Sequence, residues 1–144
     1  MKRAGFTMIE LIFVIVILGI LAAVAIPKLA ATRTDAEVSK GATELATALS
    51  DIGSYYTSQG TFAALSTMTN VQFDDNTKGA SDSDVANYVI GNEDCVKITF
   101  NSVADGNLTV EDINGTSTAA CTGLQNATAD LKGTHIFGGS GVTY

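Results

Sequence analysis

Gly5-Phe6-Thr7-Met8-Ile9-Glu10, with the apolar run Leu11 to Ile26 behind it, decides how this chain folds. No charged or strongly polar residue interrupts Leu11 to Ile26, and Phe6 to Ile26 carries one charge, Glu10. As a helix that stretch is about 32 Å long, enough to cross a hydrocarbon core of about 30 Å. A carboxylate so near the start of such a span is costly and by default marks a function.

Two simpler readings explain less. A secretory signal fits the basic start, Lys2 and Arg3, but its apolar region is usually only about 7–15 residues. A plain single-span anchor accounts for the hydrophobicity, but not for Glu10 or for Gly5 standing before Phe6. Lys28, Arg33 and Lys40 follow the run, so basic residues flank both ends and leave the orientation open.

The stretch resembles the class III signal of type IV pilins and of the pseudopilins of type II secretion systems. The resemblance is specific over roughly the first 35 residues and only architectural beyond them. It implies a basic leader, Met1 to Gly5, cut after Gly5 by a membrane prepilin peptidase that then methylates the new Phe6 amine. It implies Glu10 as the assembly glutamate, pairing with the N-terminal amine of a neighbouring subunit. Gly19 and Pro27 match the positions between which family helices often loosen in the filament. The resemblance also settles the orientation, with the start cytoplasmic and the C-terminal part exported.

The chain has 144 residues, which suits one domain plus an anchor. The net charge is uneven: residues 1–40 carry +2 and residues 41–144 carry −9. An acidic, aromatic-poor domain has no basic stripe and argues against a nucleic-acid partner. It suits a solvent-facing domain outside the membrane.

Beyond Pro27, the one proline, a helical pattern resumes. Pro27 removes a helix hydrogen bond and is expected to kink the axis. Val38, Ala42, Leu45, Leu49, Ile52 and Tyr56 step by four and three along one helix face. Lys40 and Glu44 stand one turn apart and can pair. One helix from Thr7 to Tyr56 is predicted, half apolar throughout and half amphipathic. Gly41 and Gly53 weaken it by about 1 kcal/mol each and read as flex points.

Asp74 to Asp84 reads as an exposed acidic loop. Strands are predicted at Tyr88 to Ile90, Cys95 to Phe100 and Leu108 to Ile113, with a hairpin turn at Asp105-Gly106-Asn107. A short helix is expected near Leu124 to Leu131, with terminal strands at His135 to Phe137 and Val142 to Tyr144 around a flexible Gly138-Gly139-Ser140-Gly141. Such a sheet has too little apolar surface alone, and the helix stripe supplies the other half. The fold class is therefore α+β: a long N-terminal helix packed on a small antiparallel sheet. Residues 1–5 are the leader, 6–27 the membrane and filament-core helix, 28–57 its amphipathic continuation, and 58–144 the globular part.

Cys95 and Cys121 lie in the exported part, where a pair most often forms a disulfide. Two buried thiols are the alternative. Their spacing is not that of a metal-ligand pair, and His135 stands alone, so no metal site is expected. The asparagine-x-threonine acceptors begin at Asn107, Asn114 and Asn126. Asp105 and Asp112 precede the first two by two residues, resembling the extended acceptor of some bacterial oligosaccharyltransferases. Asn107 and Asn114 are the better candidates because turns expose them, against chance occurrence in an Asn- and Thr-rich chain.

No catalytic constellation stands out. Gly138-Gly139-Ser140-Gly141-Val142 fails the nucleophile-elbow pattern at its last position, and no phosphate-binding loop or dinucleotide fingerprint appears. No cofactor is expected. Major pseudopilins carry calcium in an acidic loop near the C-terminus, and no acid follows Asp130. Asp74-Asp75-Asn76 and Asp82-Ser83-Asp84 offer oxygens without completing a known loop.

These readings converge on a structural subunit, not an enzyme, stored in the inner membrane with its C-terminal domain in the periplasm and then polymerised into a type IV pilus-like filament. The implied partners are its own copies and other pilins, prepilin peptidase, the inner-membrane assembly platform, and lipid before assembly. The alternatives are a type II secretion pseudopilin and, from another class, a minor tip subunit acting as an adhesive or binding module.

Overall fold

The computed structural model describes residues 5–138, so Val142 to Tyr144 lies outside the described residues. The chain forms two compact units, Met1–Thr34 and Asp35–Tyr144. Helix α1, Met8–Gln59, runs through both.

In the first unit the described part of α1 is almost wholly exposed. Its apolar side chains, from Met8 through Leu29, are exposed. A helix that is apolar all round and uncovered by its own chain belongs in lipid or against other helices. Among the described residues it is the one helix long and apolar enough to span a membrane. It passes through Gly19 and Pro27 without a break in its assignment.

In the second unit the stripe is buried as its spacing predicts. Leu45, Leu49, Ile52 and Tyr56 join the core, with Ala42 packed against it. Burial of side chains of this size contributes about 1.5–3 kcal/mol each. Lys40 and Glu44 pair at 3.5 Å, and the Tyr88 hydroxyl donates to Glu44 Oε2.

The two glycines behave otherwise than expected. Gly41 and Gly53 are buried, and each is a place of close approach. A Cβ on Gly41 would lie 3.0 Å from Leu124 Cδ1 and 3.2 Å from Tyr88 Cε1. A Cβ on Gly53 would lie 2.6 Å from Phe137 Cε1. Their missing side chains admit neighbours, so they are packing positions and not flex points.

The sheet is an antiparallel meander: β1 Val85–Ile90, β2 Glu93–Ser102, β3 Asn107–Asp112 and β4 Gly133–Ile136, in that spatial order. Alternation sends Ala86, Tyr88, Val96, Ile98, Phe100, Leu108 and Val110 into the core. The other face is polar: Lys97 faces Glu111 in register and pairs with it at 3.0 Å. Gly106, at φ +66°, makes the tight turn between β2 and β3, and its α-carbon lies against the Tyr56 ring.

Strand β1 starts three residues earlier than predicted, because Val85 and Ala86 continue the ladder opposite Thr99 and Ile98. The predicted short helix is also displaced. Helix α3 is Ala119–Ala127, followed by a separate 3-10 turn at Ala129–Leu131. It starts early because Thr118 caps it, accepting the Cys121 amide at 3.2 Å. A short helix α2, Leu65–Met68, went unpredicted and inserts Leu65 and Met68 into the core.

The Asp74–Asp84 segment is a folded loop whose acids accept backbone amides of the loop and of the chain beside it. Asp74 Oδ1 accepts the Asn87 amide at 2.7 Å, and Asp82 Oδ1 accepts the Val103 amide at 2.6 Å. Asp84 Oδ2 accepts the amides of Gly79 and Ser81. Carboxylates supply acceptors for amides that no strand partner satisfies.

Candidate functional site

The start of α1 is built from its own sequence. The Thr7 amide and hydroxyl both donate to Glu10 Oε2 at 2.8 Å, and the Glu10 amide donates back to Thr7 Oγ1 at 3.3 Å. This reciprocal pair is a capping box, which satisfies amides that a helix start otherwise leaves open. Glu10 therefore has a partner in its own chain. Its signature, Thr-x-x-Glu just ahead of an apolar run, was available in the sequence, and the importance of Thr7 was missed there.

Phe6 is 90% exposed, ahead of the first helical turn. Gly5 meets nothing within 4 Å of where a Cβ would stand. Its own fold thus gives no steric reason for glycine at position 5, and the same holds for Gly19. Gly5, Phe6, Thr7 and Glu10 form one accessible cluster at the head of the helix. Pro27 lies seventeen residues further along the helix from Glu10 and is not part of that cluster.

A second polar centre closes the domain near its disulfide. Cys95 on β2 and Cys121 on α3 are bonded, with Cα atoms 5.1 Å apart. Beside them the Glu93 carboxylate accepts from both the amide and the hydroxyl of Ser117 and of Thr118. The Thr118 hydroxyl first, then the Ser117 amide, pull the Glu93 carboxyl down to about 2. Gln125 Nε2 donates to the Cys95 and Ile113 carbonyls at 2.9 and 3.0 Å, pinning α3 to the sheet. Sequence reading found the cysteines but not Glu93 or Gln125, whose partners are 24 or more and 12 or more residues away.

The acceptor asparagines separate. Asn107 is the first residue of β3 and not part of the exposed turn expected for it, half-buried and paired in register with Ser102 and Ile136. Asn114 is exposed on a turn after β3, and Asn126 is exposed near the end of α3. His135 lies in β4 with Nε2 2.8 Å from the Leu131 carbonyl. Among the described residues no group of three or more His, Cys, Asp or Glu is placed to hold a metal ion.

Residues 1–26 match the family model for the prokaryotic N-terminal methylation motif. That motif is similar to the class III signal of type IV pilins and pseudopilins, and it covers 26 of the 144 residues. The match implies processing by prepilin peptidase and polymerisation of pilin-like subunits, and with the apolar helix it fits an inner-membrane-anchored precursor. No curated relative and no solved structure matches the chain.

Proposed function

We propose that this chain is the precursor of a structural subunit of a type IV pilus-like filament, and not an enzyme. Prepilin peptidase cleaves it after Gly5 and methylates the Phe6 amine. The C-terminal domain folds in the periplasm while α1 is held in lipid. Subunits then leave the membrane through an inner-membrane assembly platform and pack with their own kind or with other pilins. The motif at residues 1–26 carries this reading. The exposed, apolar first half of α1 supports it, as does a glycine at position 5 that the fold itself does not need.

Glu10 is proposed to select the register of assembly. In lipid a midplane acid costs about 2.5–3.5 kcal/mol on insertion scales, and less near the end of a span. Pairing with a neighbour's Phe6 amine at about 4 Å, in an effective dielectric of about 20, gains about 4 kcal/mol before desolvation is subtracted. The Thr7 hydrogen bonds keep the carboxylate satisfied until that partner arrives. Loosening of the helix between Gly19 and Pro27 is proposed for the filament, where neighbouring helices would cover it.

The capping box supplies a clean test. Glutamine also serves at the third position of a capping box, so Glu10→Gln keeps the helix start and removes only the charge. Expected are normal insertion, cleavage to a methylated Phe6 by N-terminal peptide mass, an intact disulfide, and no filaments. Wild-type filament yield from Glu10→Gln alone would overturn the pairing role. An intact Met1 terminus in wild-type membranes containing the peptidase would overturn the whole reading. A type II secretion pseudopilin shares every one of these steps, and neighbouring genes decide between the two: a secretin with a secretion ATPase, or a retraction ATPase with pilus genes.

A further inference from the structure

Three asparagine-x-threonine stretches look equivalent as text, and the fold treats each differently. N-glycosylation needs both ends of the acceptor: the asparagine amide that is modified and the hydroxyl two residues on that is recognised with it. Availability of both is therefore the criterion.

Asn107-Leu108-Thr109 fails at both ends. Asn107 is held in β3 between two strands, and its Oδ1 accepts from Asn101 Nδ2 at 3.2 Å. The Thr109 hydroxyl accepts from the same Asn101 amide at 2.6 Å and pairs with Thr134 Oγ1 at 3.2 Å across the ladder. Leu108 between them is fully buried. Asn126-Ala127-Thr128 fails at its hydroxyl. Thr128 is 1% exposed, and its Oγ1 donates to the Leu124 carbonyl at 2.8 Å.

Asn114-Gly115-Thr116 has both ends open. Asn114 is exposed on the turn and Thr116 is half-exposed. Among the described residues neither side chain makes a hydrogen bond. Gly115 takes φ +86°, and a Cβ there would meet nothing within 4 Å, so the turn is open at its tip. The structure assigns Asn114 as the N-glycan acceptor of the folded chain, with a polyprenyl-diphosphate-linked oligosaccharide as donor. In the transfer Asn114 Nδ2 loses a proton and bonds to the sugar's anomeric carbon. The bond from that carbon to the diphosphate breaks, and the polyprenyl diphosphate leaves.

The fold also restricts the transferase. Asp112, two residues upstream, is not free to be recognised: Lys132 Nζ holds its Oδ2 at 2.6 Å, and its Oδ1 is buried. An enzyme acting on the folded domain must read Asn-x-Thr without requiring the upstream acid. A glycan at Asn114 would stand over the cleft lined by Asn92, Glu93 and Thr116, shielding the Glu93 hydrogen bonds beside the disulfide.

The test uses the full chain, purified in detergent with its disulfide intact, and so does not depend on the proposed filament role. It is incubated with a transferase of the acid-independent class and its polyprenyl-diphosphate oligosaccharide, and occupancy is mapped on glycopeptides. Expected is at least tenfold higher occupancy at Asn114 than at Asn107 or Asn126. Asn114→Gln should abolish modification, while Asn107→Gln and Asn126→Gln leave it unchanged. Reduced, urea-unfolded chain, diluted into the same reaction, should gain occupancy at the other sites. Equal occupancy of the three sites in folded chain, or an unmodified Asn114, would overturn the assignment.

Discussion

Removing the Cys95–Cys121 bond should destabilise the second unit far more than any surface change. The bond closes a loop of 26 residues by sequence separation. On the loop-entropy account that closure is worth about 3.5 kcal/mol at 25 °C. The perturbation of choice is Cys95→Ala with Cys121→Ala. Both sulfurs are fully buried, and serine would put hydroxyls in their place, one of them beside the Glu93 carbonyl, adding polar terms that blur the result. With a urea dependence of about 1.5 kcal/mol per M, the midpoint should fall by about 2 M. Near-UV circular dichroism in detergent reads the buried Tyr56 and Tyr88 rings and so follows the domain, whereas far-UV signal also counts the membrane half of α1. Reduction of wild type should lower its midpoint by a similar amount and leave the double variant where it was. A midpoint that moves by less than about 0.5 M would refute the reasoning. It would show that Gln125, Glu93 and the core hold α3 on the sheet without help from the bond.

Ile52→Ala, at a position 0% exposed, should cost about 2–5 kcal/mol by loss of transfer energy and the cavity left behind. Urea titration in the same detergent measures it, and a loss under about 1 kcal/mol would mean the stripe is not seated on the sheet. Gly106→Ala should destabilise by at least about 1 kcal/mol, because φ is +66° and the new Cβ would fall 2.5 Å from the Tyr56 ring; an unchanged melting temperature would contradict the geometry of that turn. The Glu93 carboxyl is depressed from 4.5 to about 2, so its contribution to stability is complete above about 4.5 and is lost as pH falls towards about 2. Glu93→Gln should therefore flatten the stability profile across that window, and a profile with the wild-type slope there would assign acid sensitivity to other carboxylates.

What could be read in advance divides along physical lines. The N-terminal motif was legible because it is a linear stretch, residues 1–26, recognisable whatever fold follows. The stripe Leu45, Leu49, Ile52, Tyr56 was legible because burial on one helix face imposes its own period. Gly41 and Gly53 were misread because propensity sees only the isolated helix, while Leu124 and Phe137, the neighbours that need the space, come from 83 and 84 residues away in sequence. The Asp74–Asp84 loop is largely exposed as read, but the bonds of its acids were not legible because their partners are amides, which carry no letter in the sequence. Helix α3 was placed late because the cap at Thr118, which accepts the Cys121 amide, was not sought. Asp112 looked like part of an acceptor motif, and its bond to Lys132 needed the β3–β4 pairing to be visible.

One helix thus poses two separate burial problems. From Leu45 to Tyr56 the sheet, α2 and α3 cover the apolar face, and the disulfide with Gln125 and Glu93 closes that arrangement within the chain. From Met8 to Leu29 the apolar residues have no cover from their own chain. Covering them inside the domain would have required more sheet or more helices. Leaving them open means that a folded subunit is still incomplete, and only lipid or other helices can complete it. In the proposed assembly the two covers must be exchangeable, since a subunit has to leave one for the other. Nonspecific apolar contact permits that exchange because hydrocarbon and neighbouring helices are nearly equal in polarity. The same indifference makes apolar contact a poor source of register. Register has to come from a group that distinguishes the two environments, and along Phe6 to Ile26 the charged candidate is Glu10. On the proposed role, its bonds to Thr7 would let it wait in lipid without unfolding the helix start. The proposed partner, a neighbour's amine, would have to offer more than the Thr7 hydroxyl and amide, which a full positive charge does.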